Sequence, residues 1–213
     1  MGSTNTGTAH PLDVLEAALR GGVTCFQLRE KGPGSLIGIE KQNFAEACQK
    51  LCRQYNVPFI VNDDVDLAIA ISADGVHIGQ EDEDPKSVRE RIGIGKILGV
   101  STHTESEVQE ALSVGADYVG IGPVYATLSK ADAKPVAGTK FIREMAKAFP
   151  DLPIVGIGGI TSTSFKPVFE AGAVGISLIS AITLAEDPFA ISRYFIESID
   201  AILNKVGTSS FER

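Results

Sequence analysis

Arg29 and Lys31 stand two apart in the run Gln27-Leu28-Arg29-Glu30-Lys31. On an extended strand such residues share a face, so Gln27, Arg29 and Lys31 line one side while Phe26 and Leu28 face the other. Cations aimed into an interior need an anion to meet them. A second run, Asn62-Asp63-Asp64, adds carboxylates, and a third, Gln80-Glu81-Asp82, follows one unit later. Strands adjacent in a sheet lie about 4.8 Å apart, so Asp63 and Asp82 at neighbouring strand ends can share a hard cation. Mg²⁺ takes one or two carboxylates plus phosphate oxygens, and together these residues suit a phosphorylated ligand that carries a metal ion. Either Asp63 or Asp64 could instead cap the following helix; Asp64 is assigned the cap and Asp63 the metal. Glu81 and Asp84 read as solvated loop charges.

The C-terminal half offers a different kind of anion binder. Gly158-Gly159 and the stretch 175–180 let backbone N–H groups approach a phosphate, although tight turns need glycine for their own reasons. Between the halves, residues 123–138 have neither helical nor strand period and are longer than an ordinary connection. A functional lid is expected there, with Thr127, Ser129 and Lys130 supplying two hydroxyls and a cation and Lys134 a possible further charge. His10, His77 and His103 are scattered, and His103 reads as a capping or surface residue. No GxxxxGK[ST], HExxH or GxSxG run is present.

These residues need a scaffold that brings many strand ends together. Short Val- and Ile-rich runs at 23–28, 59–62, 75–78, 97–100, 118–121, 154–157 and 175–178 alternate with helical periods at 36–55, 65–71, 105–114, 163–171 and 188–204. A helix at 11–20 precedes the first of them. Such alternation implies parallel strands with right-handed crossovers. The expected fold is a (β/α)₈ barrel, whose function gathers on the loops after the strands. Seven strands are legible, and the polar first ten residues read as the loop after a first strand that is missing from the N-terminus. Residues 1–206 form one domain in this reading, with 207–213 a frayed tail.

Composition narrows the partners. The 213 residues carry a formal net charge of −8, which argues against nucleic acid. The longest uncharged stretch, 171–185, is too short and too polar to span a bilayer. The polar N-terminus shows no secretory signal, and three sparse cysteines suit a reducing cytoplasm. Cys48 and Cys52, four apart on a helix, read as packing residues rather than metal ligands.

The segments QLREK (27–31), VNDDVDLA (61–68), DGVHIGQED (74–82), LGVS (98–101), DYVGIGPVY with T-x-S-K (117–130) and IGGI (157–160) together resemble the thiamine phosphate synthase family. The resemblance implies a (β/α)₈ enzyme that joins 4-amino-5-hydroxymethyl-2-methylpyrimidine diphosphate to a thiazole phosphate and releases diphosphate. It assigns Gln27, Arg29, Lys31, Asn62, Ser101 and Lys130 to the pyrimidine diphosphate, with Leu28 and Glu30 inside the same motif. Asp63 and Asp82 would hold Mg²⁺, and Thr127, Leu128, Ser129, Gly159, Ile179 and Ser180 the thiazole phosphate. Arg29, Lys130 and Ser101 are the expected catalytic residues, and a homo-oligomer is compatible with the sequence.

The chain departs from the family in having Ala126 where a proline is usual and Ser129 for a second threonine. Serine keeps the hydroxyl, so binding is expected to survive. The implied chemistry is dissociative substitution at a pyrimidine methylene, with no side-chain base. A thiazole tautomerase on the same barrel would carry histidine where Pro123 stands. A non-catalytic phosphate-ligand sensor would keep the pocket without the turnover.

Overall fold

Strands buried on both faces lack the polar alternation of a surface strand, and they are stable only with a helix packed on one side and other strands on the other. The computed structural model follows that rule over the residues it describes, 1–127 and 135–209, with side chains through residue 204. In chain order the elements are α1 (Pro11–Arg20), β1 (Phe26–Leu28), α2 (Gly38–Gln54), β2 (Phe59–Asn62), α3 (Val65–Ala70) and β3 (Gly75–Ile78). Next come α4 (Pro85–Ile92), β4 (Ile97–Thr102), α5 (Glu105–Ser113), β5 (Tyr118–Ile121) and α6 (Gly138–Ala148). The chain continues through β6 (Ile154–Ile157), α7 (Lys166–Glu170), β7 (Gly175–Ser177), α8 (Ser180–Thr183) and α9 (Pro188–Ser209).

All seven strands are parallel and pair in sequence order, β1 through β7, in one curled sheet. The strand ends therefore meet at one rim, where their loops converge. Helix starts are fixed locally: Asp64 accepts from Leu67 N–H at 3.0 Å, Asp84 from Ser87 N–H at 2.9 Å and Thr104 from Glu107 N–H at 3.3 Å. Each such cap satisfies a first-turn donor that the helix itself leaves unpaired. Asp64 is thus the cap the sequence assigned, and Asp84, read as a solvated charge, is a cap as well.

The core is the layer between sheet and helices, with Leu28, Phe59, Ile78, Leu98, Ile121 and Ile154 at most 1% exposed. Phe165 closes it beneath α9, its ring edge-on to Phe195 at 5.4 Å. Two boundaries differ from expectation. The first strand begins at Phe26 rather than residue 23, because its partner begins at Phe59 and a ladder is only as long as the shorter strand. The last helix runs to Ser209, into the stretch 207–213 expected to be tail, of which 207–209 are described.

At the open side, Met1 extends the sheet by one residue. Its ammonium donates to Gln27 O at 2.7 Å and its carbonyl accepts from Arg29 N–H at 3.0 Å, the two bonds of a parallel ladder. Between β1, β7, α1 and α9 lies an apolar cavity of about 560 Å³.

Candidate active site

The rim encloses a second cavity, of about 340 Å³, into which several loops deliver side chains. It is lined by Arg29 and Lys31 after β1, Asn62 and Asp63 at the end of β2, and Asp82 after β3. Ser101 on β4, Thr127, Gly159 and the pair Ile179–Ser180 also line it, as do His77, Gln80, His103 and Glu81, the last read from sequence as a solvated loop charge. Three other candidates are placed elsewhere. Gln27 lines the apolar cavity next door. Leu28 is 1% exposed in the core. Glu30 is buried beside the N-terminal loop, accepting from Ser3 N–H at 2.7 Å and Leu36 N–H at 2.8 Å. Leu128, Ser129, Lys130 and Lys134 lie outside the described residues.

On the acidic side the geometry is tense. Asp63 has φ 65°, a left-handed conformation that costs an ordinary side chain roughly 1–2 kcal/mol. Its N–H donates to His77 O at 2.8 Å, which pins it there. The Asp63 and Asp82 side chains are in hydrogen-bonding contact. Burial and that contact push Asp63 up to about 6, against the pull of Lys31. Burial also acts to raise Asp82, but the contact with Asp63, the Gly79 N–H at 2.8 Å and Lys31 hold it below the usual carboxylate range. The Lys31 ammonium pairs with Asp63 and lies 3.7 Å from Asp82. Although its own burial opposes this, Asp63 holds Lys31 above the usual lysine value. Next door, Asp64 pairs with Lys41 at 2.6 Å and takes no part in the cluster.

The two adjacent carboxylates share Lys31 as their counter-ion, and the same pair of oxygens could hold a metal cation. Among the described residues no group of three or more His, Cys, Asp and Glu side chains could cage a metal. A cation here would take two ligands from the chain and the rest from water or a bound anion, which suits Mg²⁺ better than Zn²⁺.

Two residues with no assigned role adjoin Ser101: His77, which also lines the cavity, and Tyr118. His77 Nε2 is 2.8 Å from Ser101 Oγ, and His77 Nδ1 is 2.9 Å from the Tyr118 hydroxyl. Ser101 O accepts from Gln80 Nε2 at 2.7 Å. His103, by contrast, belongs to the α5 cap, its N–H donating to Glu107 at 2.6 Å, though it also borders the cavity.

Opposite, the described residues present mainly backbone. Val124 and Tyr125 N–H donate to Ile157 O and Gly158 O at 2.8 and 3.0 Å, which ties the loop after β5 to the loop after β6. Gly159, at φ 65°, fits beneath that loop; a Cβ there would lie 2.4 Å from Ala126 O. Its glycine is therefore a packing requirement as well as an approach to the cavity.

Residues 2–182 match the family model described as thiamine monophosphate synthase. The chain is 55% identical over 199 residues to the thiamine-phosphate synthase of Bacillus velezensis, covering 93% of this chain and 88% of that protein. It is 54% identical over 187 residues to the Lysinibacillus sphaericus thiamine-phosphate synthase, covering 88% and 87%. Among solved structures, thiamine phosphate pyrophosphorylase from Pyrococcus furiosus superposes with a TM-score of 0.82 at 33% identity, covering 91% of each chain.

Proposed function

The chain belongs to the thiamine monophosphate synthase family, and from that premise we propose how its residues carry out the transfer that makes thiamine phosphate. The enzyme is a transferase, and its substrates are a pyrimidine diphosphate and a thiazole phosphate. One observation carries the reading: the adjacent pair Asp63 and Asp82, with Lys31 against it, faces the glycine-bearing loops across a single cavity.

In this reading Asp63 and Asp82 hold Mg²⁺, which when bound neutralises charge on the diphosphate and orients it. Arg29, Lys31 and Lys130 hold the diphosphate oxygens and Asn62 the pyrimidine, while Gln27 faces the neighbouring cavity. Thr127, Leu128, Ser129, Gly159, Ile179 and Ser180 receive the thiazole phosphate. The 4-amino group of the pyrimidine stabilises positive charge at its exocyclic methylene. The C–O bond to diphosphate therefore breaks ahead of bond formation, and the thiazole nitrogen attacks the cation. The chain's work is to stabilise the departing anion and hold the nucleophile in line. Leu28 and Glu30 serve this site through the strand end they fix, since neither side chain reaches the cavity.

A strand between β7 and β1 would complete the eight-stranded barrel. The Met1 ladder bonds and the apolar cavity beside them support that reading. No described helix is long and apolar enough to cross a membrane. We place the enzyme in the cytoplasm, where its three free cysteines would stay reduced.

The test is a coupled assay for diphosphate. Release that requires both substrates and Mg²⁺ supports the proposal. Thiazole isomerisation without diphosphate would select a tautomerase, against which Pro123 stands at the position that would carry its histidine. Binding of both ligands without turnover would select a sensor.

A further inference from the structure

Beside Ser101 stand two polar side chains, His77 and Tyr118, that the reading so far leaves unused. His77, on β3, is 5% exposed and bridges Ser101 Oγ and the Tyr118 hydroxyl at 2.8 and 2.9 Å. Two glycines make the room. A Cβ on Gly99 would lie 2.4 Å from the Tyr118 hydroxyl and 2.5 Å from His77 Nδ1, and one on Gly120 would lie 3.2 Å from His77 Cε1. The register sets His77 beside Gly99 and Ser101 beside Gly120. The strands are therefore cleared for this contact.

A neutral imidazole carries one N–H, so two arrangements compete. With the proton on Nδ1, Nε2 accepts the Ser101 proton and the serine has only lone pairs to offer the cavity. With the proton on Nε2, His77 donates to Ser101 and the serine's own O–H is left to donate outward. Tyr118 decides between them. Burial pushes its phenol well above the usual value, so it keeps its proton. A phenol is a stronger donor and a poorer acceptor than the aliphatic hydroxyl of Ser101, so across the 2.9 Å contact its proton goes to His77 Nδ1.

We propose that His77 is a positioning residue for the transfer: locked as the Nε2–H tautomer by Tyr118, it donates to Ser101 and aims the serine proton into the cavity at the diphosphate. The departing diphosphate gains charge as its C–O bond breaks, and a donor already pointed at it strengthens in the transition state. A serine that gave its proton to His77 would meet that anion with lone pairs. The role in catalysis rests on the assignment of Ser101 to the diphosphate; the tautomer does not.

The experiment begins with ligand-free protein carrying ¹⁵N-histidine. Long-range ¹H–¹⁵N correlation should report a protonated Nε2 and an unprotonated Nδ1 for His77. The Nδ1–H tautomer, or an imidazolium, overturns the proposal, and this readout needs no variant to fold. Kinetics test the rest. His77→Asn, whose amide reaches only the Nδ1 position, should lower kcat about 10-fold to 100-fold with little change in KM. His77→Gln, which restores an N–H near the Nε2 position, should recover most of that loss; equal loss in both variants overturns the donor role. In a Ser101→Ala background His77→Asn should cost nothing further, and a full additive loss shows that His77 does not act through Ser101. An unchanged rate in Ser101→Ala alone removes the serine from the reaction and the proposal with it.

Discussion

The two halves of the rim bind anions by different means. After β1 to β4 the cavity is built from side chains: Arg29, Lys31, Asp63, Asp82 and Ser101. After β5 to β7 it is built largely from backbone, with Gly158 and Gly159 packed beneath the loop that carries Thr127. In the first half a substitution removes chemistry from a scaffold that stands on its own core. In the second the residue that meets the ligand is also what lets two loops touch, so chemistry and stability are lost together.

The largest effect separating the halves is expected at Asp63. Asp63→Ala should lower kcat by about 10³-fold while circular dichroism remains that of the parent, and a chelator should abolish turnover in the unaltered enzyme. Near-parental turnover at saturating substrates would remove the pair from the mechanism. Lys130→Ala should cost about 10²-fold through loss of a cation on the leaving group. A rise in KM alone would make Lys130 a binding residue.

Gly159→Ala sharpens the contrast from the other side. Alanine at φ 65° is strained and its Cβ would press on Ala126 O at 2.4 Å. The variant should lose about 3 kcal/mol in urea unfolding, together with affinity for the thiazole phosphate. Weaker binding with parental stability would show that the glycine serves the ligand alone.

The same division explains what could be read from the sequence. Charged side chains at strand ends announce themselves by type and by two-residue spacing, so the first half was legible as Arg29, Lys31, Asp63 and Asp82. Within it, the motif as a unit over-reached. Leu28 and Glu30 share QLREK, yet strand parity sends one to the core and the N-terminal loop claims the other. His77 and Tyr118 were missed because isolated residues on buried strands look like core. The available signal was negative space, in Gly99 and Gly120 at the register positions beside His77 and Ser101. The parallel alternation was legible in the sequence, and the described residues carry it as seven strands in one curled sheet; closure into a barrel depends on long-range pairing that no local pattern encodes.

The smallest prediction separates the two carboxylates of the acidic half. Asp63 is held at about 6, above the ordinary aspartate value of about 3.9, so the folded chain binds its proton more tightly than the unfolded chain does. Its contribution to stability is complete below about pH 4 and is lost as pH rises through about 6. Asp63→Asn keeps the shape, tolerates the left-handed backbone and abolishes the charge. In metal-free buffer at pH 7.5 it should melt about 2 °C above the parent, a modest gain because water screens part of the penalty. That gap should close as pH falls towards about 4. Asp82, held below its ordinary value, obeys the opposite sign: Asp82→Asn should cost stability near neutrality, and the cost should vanish in acid. Saturating Mg²⁺ with diphosphate should then invert the Asp63→Asn result, because only the parent gains the binding energy of the cation. Parallel melting curves for the two variants from pH 4 to 8 would mean that the pair is not divided in this way.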